Sequence, residues 1–166
     1  VAWFVAEVMP RLDPSWICLV GGAGPEWARI ADAVAARGLE SRVHLLGTVV
    51  ERRKAALLAR ADLFVMPNVP VPGDAEGFGI SAIEATAHGV PVLASDLEGL
   101  RDAVVDGVTG RLVPPLDIDA WRDAIRTTRM DPAAVARETR ARFDWSRLVE
   151  AYLEFFRRLP AKETPR

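Results

Sequence analysis

Short apolar runs alternate along the chain with segments in which apolar residues recur at helical spacing. The apolar runs are rich in Val and Leu and predict five strands, at 16–21, 43–47, 62–66, 91–94 and 111–114. The helical patterns fall between and after them, at 26–38, 51–60, 79–88, 98–105, 119–128, 132–142 and 145–158. Because such alternation is typical of βαβ units, we predict an α/β fold, a Rossmann-like doubly wound parallel sheet flanked by helices.

The opening residues, 1–12, also have a helical pattern, with apolar residues on one face. A strand should precede this helix, because sheets of this class are wound outward from their first strand. We therefore expect the chain to be part of a longer protein whose first strand lies upstream of Val1. Without that strand, the runs at 16–21 and 62–66 would have to pair directly.

Composition places the chain among ordinary globular domains. Its 166 residues fit one domain, 1–166, with 50% hydrophobic and 27% charged residues. The 21 Lys and Arg against 23 Asp and Glu give a net charge of −2, so no strong field favours nucleic acid. No uninterrupted apolar stretch reaches the ~18 residues of a membrane span. The lone Cys18 excludes an intramolecular disulfide and structural zinc, and its apolar surroundings predict a buried, inert thiol.

One glycine-rich segment follows a strand and leads into a helix. In open α/β sheets, ligands bind beyond the carboxyl ends of the strands. The segment 73–80 follows strand 62–66, and Gly77 and Gly79 let a ligand approach the backbone without a Cβ in the way. The free amides at the start of the helix 79–88 then form an anion site, for which phosphate is the expected ligand.

Two carboxylates bracket this anion site. Glu84 lies about one turn into the helix, and Glu76 lies just before it. The pair can hold a ligand on either side of its phosphates by accepting hydrogen bonds from sugar hydroxyls, because carboxylates would repel the phosphate itself. The alternative, which each residue favours when taken singly, is an ordinary helix start with Glu76 complementing the dipole and Glu84 solvated.

Several blocks of sequence, taken together, resemble one known family. The strongest is Glu76-Gly77-Phe78-Gly79 with Glu84-Ala85, in which seven residues separate the two glutamates. Other blocks lie, in the same order as in the family, at 20–25, 43–49, 61–67, 89–92, 106–110 and 143–145. Nearly end to end, the chain resembles the C-terminal, nucleotide-sugar-binding domain of the family 4 retaining glycosyltransferases, which have the two-domain GT-B architecture.

The resemblance implies roles for individual residues. Glu84 would hold the ribose hydroxyls of the donor nucleotide, and Glu76 would lie by the donor sugar as the catalytic residue. Val49 would contact the base through its backbone, with a plain packing role as the alternative. Lys54 falls where some members place a basic residue in the donor cleft, with a solvated helix face as the alternative. The amides that would meet the diphosphate and sugar belong to Gly77, Phe78, Gly79 and Ile80.

The implied activity is transfer of a hexosyl group from a UDP-sugar or GDP-sugar donor to a hydroxyl acceptor, with retention of configuration and without metal or cofactor. His44 and His88 have no Cys or Asp cluster at ligand spacing, which agrees with the expected absence of a metal. The acceptor, and any membrane contact, would belong to a missing N-terminal domain. The chain is then half an active site, expected to be inactive alone and to lie in the cytoplasm or peripherally at the inner face of the membrane.

The chain departs from the family pattern at its start. The family's first strand leads into a loop with an Arg and a following Lys that neutralise the diphosphate, and no counterpart precedes Val1. Arg52 and Arg53 lie too far along to replace them and are expected on an exposed helix face. Because each missing cation would supply a charge-assisted hydrogen bond of about 1.5–3 kcal/mol, this chain by itself should bind donor weakly.

Two other functions stay open: a GT-B relative such as a nucleotide-sugar epimerase, and a non-catalytic scaffold that uses its late helix for a partner. That helix, 145–159, is amphipathic, and we expect its apolar face to pack on the domain rather than on a membrane surface. His44 is expected near the core and His88 as a surface cap. Trp27 and Trp121 are expected to fill the core or its edge.

Overall fold

The computed structural model of the chain describes residues 1–71, 73 and 79–159. It confirms the five predicted strands and the helices between and after them, with ends shifted by at most two residues. The opening segment forms a π-helical turn, Phe4–Val8, and a 3₁₀ turn, Met9–Arg11. The strands are β1 Cys18–Gly21, β2 Val43–Gly47, β3 Phe64–Met66, β4 Val92–Ser95 and β5 Gly110–Val113. The helices are α1 Trp27–Ala36, α2 Glu51–Leu58, α3 Ile80–Ala87, α4 Glu98–Ala103, α5 Ile118–Thr127, α6 Pro132–Phe143 and α7 Trp145–Arg158.

The strands form two parallel sheets. β1 pairs with β2, starting with Cys18 opposite Val43, and β4 lies between β3 and β5 in a sheet of three. Within the described residues β1 and β3 do not pair with each other, so the direct pairing considered for these two runs does not occur. All pairings are parallel, as the alternation of strands and helices predicts, and the carboxyl ends within each sheet therefore lie at the same edge.

Apolar residues fill both faces of the three-stranded sheet. On one face the opening segment and α5 meet, where the fully buried Trp121 lies edge-on to Phe4 at a ring-centroid distance of 5.7 Å. On the other face α3 and α4 pack. β4 contributes to both, with Leu93 in the first cluster and Val92 and Ala94 in the second. Burial on both faces is the expected state of a central parallel strand.

The described residues cover only one face of the two-stranded sheet. Val43 is buried and Cys18 is half-buried against the first cluster, whereas Leu19 and His44, which are neighbours in the register, are exposed. The prediction that His44 lies near the core is therefore wrong, because no described element covers its side of the sheet. Burial raises the pKa of the Cys18 thiol to about 11, in agreement with the predicted inert thiol.

The last three helices begin with an aspartate whose carboxylate accepts hydrogen bonds from the first-turn amides. Asp117 caps α5 by accepting from the Ala120 amide at 2.9 Å, and Asp131 and Asp144 cap α6 and α7 in the same way. Such caps each contribute about 1 kcal/mol to helix stability. Each of these three helices thus has a side-chain cap at its amino end.

The structure corrects the expectation for α7. Leu148 is half-buried, but the other apolar residues of the helix are exposed, including Trp145 at 77% and Phe156 at 60%. The prediction that the apolar face packs on the domain is wrong for the residues described here. Trp121 is in the core and Trp27 is half-buried, as expected. No helix in the described ranges is both long enough and apolar enough to cross a bilayer.

Candidate functional site

The start of α3 depends on a glycine in a left-handed conformation. Gly79, the residue before the helix, has φ +73°, and a Cβ there would lie 2.8 Å from Leu100 Cδ2 and 3.3 Å from Ala103 Cβ of α4. A side chain at this position would be strained and would also push α4 away. The glycine therefore lets the amino end of α3 approach α4 closely.

No described side chain caps α3. Its first amides consequently point along the helix axis with the positive end of the dipole, as the sequence predicts for an anion site. Ile80, the first helical residue, is 68% exposed, while Ala82, Ala85 and Thr86 are buried against the sheet and α4. The helix is thus packed along one side and accessible at its amino end.

Glu84 lies one turn into α3, on the side of Ile80, as predicted. Its carboxylate is 38% exposed, and Lys54 Nζ donates to Glu84 Oε1 at 2.8 Å. Lys54 Nζ also lies 3.0 Å from Glu51 Oε1, and the side chain of Glu51 is 88% exposed. The hydrogen bond to Glu84, and then the one to Glu51, raises the pKa of Lys54 above its usual value. Lys54 is therefore turned toward α3 rather than extended into solvent.

His88 is the residue directly after the last turn of α3. Its Nδ1 donates to the Glu84 carbonyl at 2.8 Å, and its side chain is exposed. The predicted surface cap is confirmed. The imidazole belongs to the carboxyl end of the helix, at the opposite end from the uncapped amides.

Val49 lies in the loop after β2, five residues before Lys54. It is half-buried, and its Cγ2 is 3.0 Å from the position that a Cβ on Gly21 would occupy. The loop that follows β1 is joined to β2 by a hydrogen bond from the Gly22 amide to the Gly47 carbonyl at 2.8 Å. The Val49 side chain thus packs beside Gly21, which leaves its backbone contact with a base as a prediction, and the loops after β1 and β2 lie together.

One buried hydroxyl at the carboxyl end of a strand was not among the predicted residues. Ser95, at the carboxyl end of β4, is 1% exposed, and its Oγ donates to the Asn68 carbonyl at 2.6 Å. This bond ties the loop after β3 to the neighbouring strand. The sequence carries no signal for this contact, because the two residues are 27 positions apart in the chain.

The structure brings together only part of the predicted constellation. Lys54 and Glu84 meet, Gly79 and Ile80 form the start of α3, and Val49 lies at the edge from which α2 begins. The predicted residues Glu76, Gly77 and Phe78 lie outside the described residues. Within the described ranges, no group of three or more His, Cys, Asp or Glu side chains could hold a metal ion.

Comparison with known proteins identifies the family. The family model described as glycosyl transferases group 1 matches residues 1–131. The chain belongs to this family, also known as family 4 of the glycosyltransferases. The fold is that of the C-terminal half of GT-B enzymes, as the resemblance implied.

Two curated members of the glycosyl transferases group 1 family illustrate the relationship. The phosphatidyl-myo-inositol mannosyltransferase of Mycobacterium leprae is 36% identical over 145 residues, covering 84% of this chain and 37% of that protein. The D-inositol 3-phosphate glycosyltransferase of Nocardia farcinica is 37% identical over 166 residues, covering 91% of this chain and 35% of that protein. The chain therefore spans about a third of the length of these relatives.

A solved structure supports the fold. The Anabaena protein HepE, crystallised with UDP and with UDP-glucose, superimposes with TM-scores of 0.80 and 0.78 at 23% identity. The alignment covers 94% of this chain and 44% of HepE. At this level of identity, the likeness concerns the fold.

Proposed function

We propose that this glycosyltransferase domain binds the nucleotide-sugar donor, a UDP-sugar or GDP-sugar, for retaining transfer of a hexosyl group to an acceptor hydroxyl. The observation that carries the proposal is the amino end of α3, which no side chain in the described ranges caps, with the carboxylate of Glu84 one turn further along the helix. Amides with the helix dipole suit a diphosphate, and a carboxylate suits the hydroxyls of a sugar rather than the phosphates.

Each predicted residue has a proposed part in this site. The amides from Gly77 to Ile80 bind the diphosphate, Glu84 accepts hydrogen bonds from the ribose hydroxyls, and Glu76 lies by the donor sugar as the catalytic residue. Lys54 is the basic residue of the donor cleft, where its ammonium pairs with Glu84. Val49 contacts the base through its backbone while its side chain packs on Gly21.

The proposed reaction needs no metal or cofactor to balance. The bond between the anomeric carbon and the diphosphate oxygen breaks, and the acceptor oxygen forms a new bond to that carbon on the same face. The acceptor proton passes to the departing phosphate. The amides at the start of α3 stabilise the charge that develops on the leaving diphosphate, because they are fixed before the reaction begins.

The proposed donor-site residues have no assigned role in binding the acceptor. Since the chain spans about a third of its curated relatives, we propose that the acceptor binds elsewhere in the whole protein, in an N-terminal GT-B domain. This domain alone would then transfer no sugar. We propose that the whole protein acts in the cytoplasm or peripherally at the inner face of the membrane.

Calorimetric titration of the full-length protein with UDP and with GDP tests the donor site. At least one nucleotide should bind, and Glu84→Gln should weaken it about 10- to 100-fold, because hydrogen bonds to a charged group contribute about 1.5–3 kcal/mol. Glu150→Gln, on the exposed surface of α7, is the matched control and should bind like the parent. A folded parent protein that binds neither nucleotide would contradict the proposal and favour the non-catalytic scaffold.

A further inference from the structure

Lys54 connects two helices that follow strands of different sheets. It lies at the end of the first turn of α2, after β2, and its partner Glu84 lies in the second turn of α3, after β3. The Lys54 Nζ to Glu84 Oε1 distance is 2.8 Å. The ion pair therefore links α2 to α3 and restrains the Glu84 side chain, although the two residues are far apart in the chain.

The geometry leaves the carboxylate able to bind a ligand. A carboxylate offers about four acceptor positions on two oxygens, and the bond from Lys54 engages Oε1. The Glu84 side chain remains 38% exposed. The ion pair therefore restrains the carboxylate without consuming its capacity to accept hydrogen bonds from two neighbouring hydroxyls.

We propose that Lys54 is a positioning residue that acts on the donor through Glu84, by holding its carboxylate in the orientation that accepts the ribose hydroxyls. This inference rests on the donor site proposed above. A glutamate with three free torsions must be ordered when a ligand binds, whereas one already held by an ion pair has much of that ordering done beforehand. Lys54 thus improves affinity without having to touch the nucleotide.

Glu51 provides a built-in control for this role. It also pairs with Lys54, at 3.0 Å, but it lies three residues before it on the same helix and is 88% exposed. It does not reach α3, so its bond does not position Glu84. Removing the charge of Glu51 should leave the orientation of Glu84, and hence donor affinity, unchanged.

The test compares the binding of nucleotides with and without the ribose hydroxyls to the full-length protein. Affinities for UDP and GDP, and for the 2′,3′-dideoxy form of whichever binds, are measured by calorimetry. Lys54→Met should weaken binding of the normal nucleotide about three- to tenfold, an ordering cost typical of one flexible side chain. It should leave binding of the dideoxy nucleotide unchanged. Lys54→Arg should restore most of the loss, and Glu51→Gln should bind like the parent.

A double variant separates positioning from direct contact. If Lys54 acts through Glu84, adding Lys54→Met to Glu84→Gln should cause no further loss, because the group being positioned is already gone. An additive loss, or equal weakening of the dideoxy nucleotide, would show that Lys54 contacts the ligand itself and would overturn the inference. Unchanged UDP or GDP binding by Lys54→Met would also overturn it while leaving the donor site standing. A parent that binds neither nucleotide would overturn both.

Discussion

The helices α3 and α7 begin in opposite ways. α3 starts at a glycine with φ +73°, has no side-chain cap among the described residues and is packed along one side on α4 and the sheet. α7 starts at Asp144, whose carboxylate accepts from the amides of Ser146 and Arg147, and its apolar face is largely exposed. α3 is held by its surroundings, and no side chain among the described residues engages its first amides. α7 engages its own first amides through Asp144, and most of its apolar side chains are exposed.

This difference shows how one element type serves two purposes. A helix that needs no cap for its stability can present its amino end to an anion, because neighbouring elements hold it in place. A helix with little tertiary packing needs its cap. Among the helices described, α5 and α6 combine an aspartate cap with burial, whereas α1, α2 and α4 resemble α3 in having no side-chain cap. What sets α3 apart is therefore the left-handed Gly79 before it and the carboxylate of Glu84 one turn into it.

The largest contrast concerns two phenylalanines. Phe4 is 2% exposed and lies against Trp121, so Phe4→Ala should lower the free energy of unfolding by about 3–5 kcal/mol. Phe156 on α7 is 60% exposed, so Phe156→Ala should change it by less than about 0.5 kcal/mol. Urea unfolding followed by circular dichroism measures both. A loss above about 1.5 kcal/mol for Phe156→Ala would mean that α7 is packed.

The glycine at the start of α3 gives the next largest effect. Gly79→Ala should cost about 2–4 kcal/mol, because it adds a clash with Leu100 to the strain of a left-handed residue. Gly107 is the matched control: its φ is +75° and a Cβ there would meet nothing within 4 Å, so Gly107→Ala should cost only about 1 kcal/mol. Equal losses in urea unfolding would show that the close approach of α3 to α4 adds nothing.

The aspartate caps test whether packing decides what a cap contributes. Asp117→Ala removes the cap of α5, which carries the buried Trp121, and should lower the free energy of unfolding by about 1 kcal/mol. Asp144→Ala removes the cap of α7 and should reduce helicity while changing the free energy of global unfolding by less than about 0.5 kcal/mol. Similar global losses in thermal unfolding would contradict the distinction.

A charge at the open end of α3 gives the smallest change in stability. Ser81 is exposed in the first turn, so Ser81→Asp should raise the free energy of unfolding by about 0.3–1 kcal/mol through the helix dipole. The same carboxylate should weaken UDP or GDP binding about tenfold by repulsion of the diphosphate. Ser81→Asn is the neutral control. Unfolding and calorimetry together check it, and unchanged nucleotide affinity would place the diphosphate elsewhere.

Much of the fold could be predicted because local patterns determine it. The alternation of apolar runs and helical periods located every strand and helix to within two residues, and Asp131 followed by Pro132 marked the start of α6. What failed were statements about what covers a surface. His44 alternates as a buried residue would, and α7 is strongly amphipathic, yet neither pattern contains information about a partner element.

In the candidate site, too, local features could be predicted from the sequence and long-range contacts could not. Gly79 and the position of Glu84 one turn into α3 follow from local sequence, and the structure has them there. The pairing of Lys54 with Glu84 joins residues thirty positions apart on helices from different sheets, so no spacing rule could find it. Ser95 and the loop carbonyl of Asn68 are related in the same way. Such contacts depend on how the two sheets are placed, which is a property of the tertiary structure.

The most direct test of the donor site is to follow backbone amides by NMR while UDP or GDP is added. We expect large shifts for the amides of Ile80 and Ser81, at the start of α3, and unchanged amides of Ser146 and Arg147, which Asp144 already engages at the start of α7. Saturating nucleotide that leaves Ile80 and Ser81 unmoved, or that moves both helix starts alike, would contradict it.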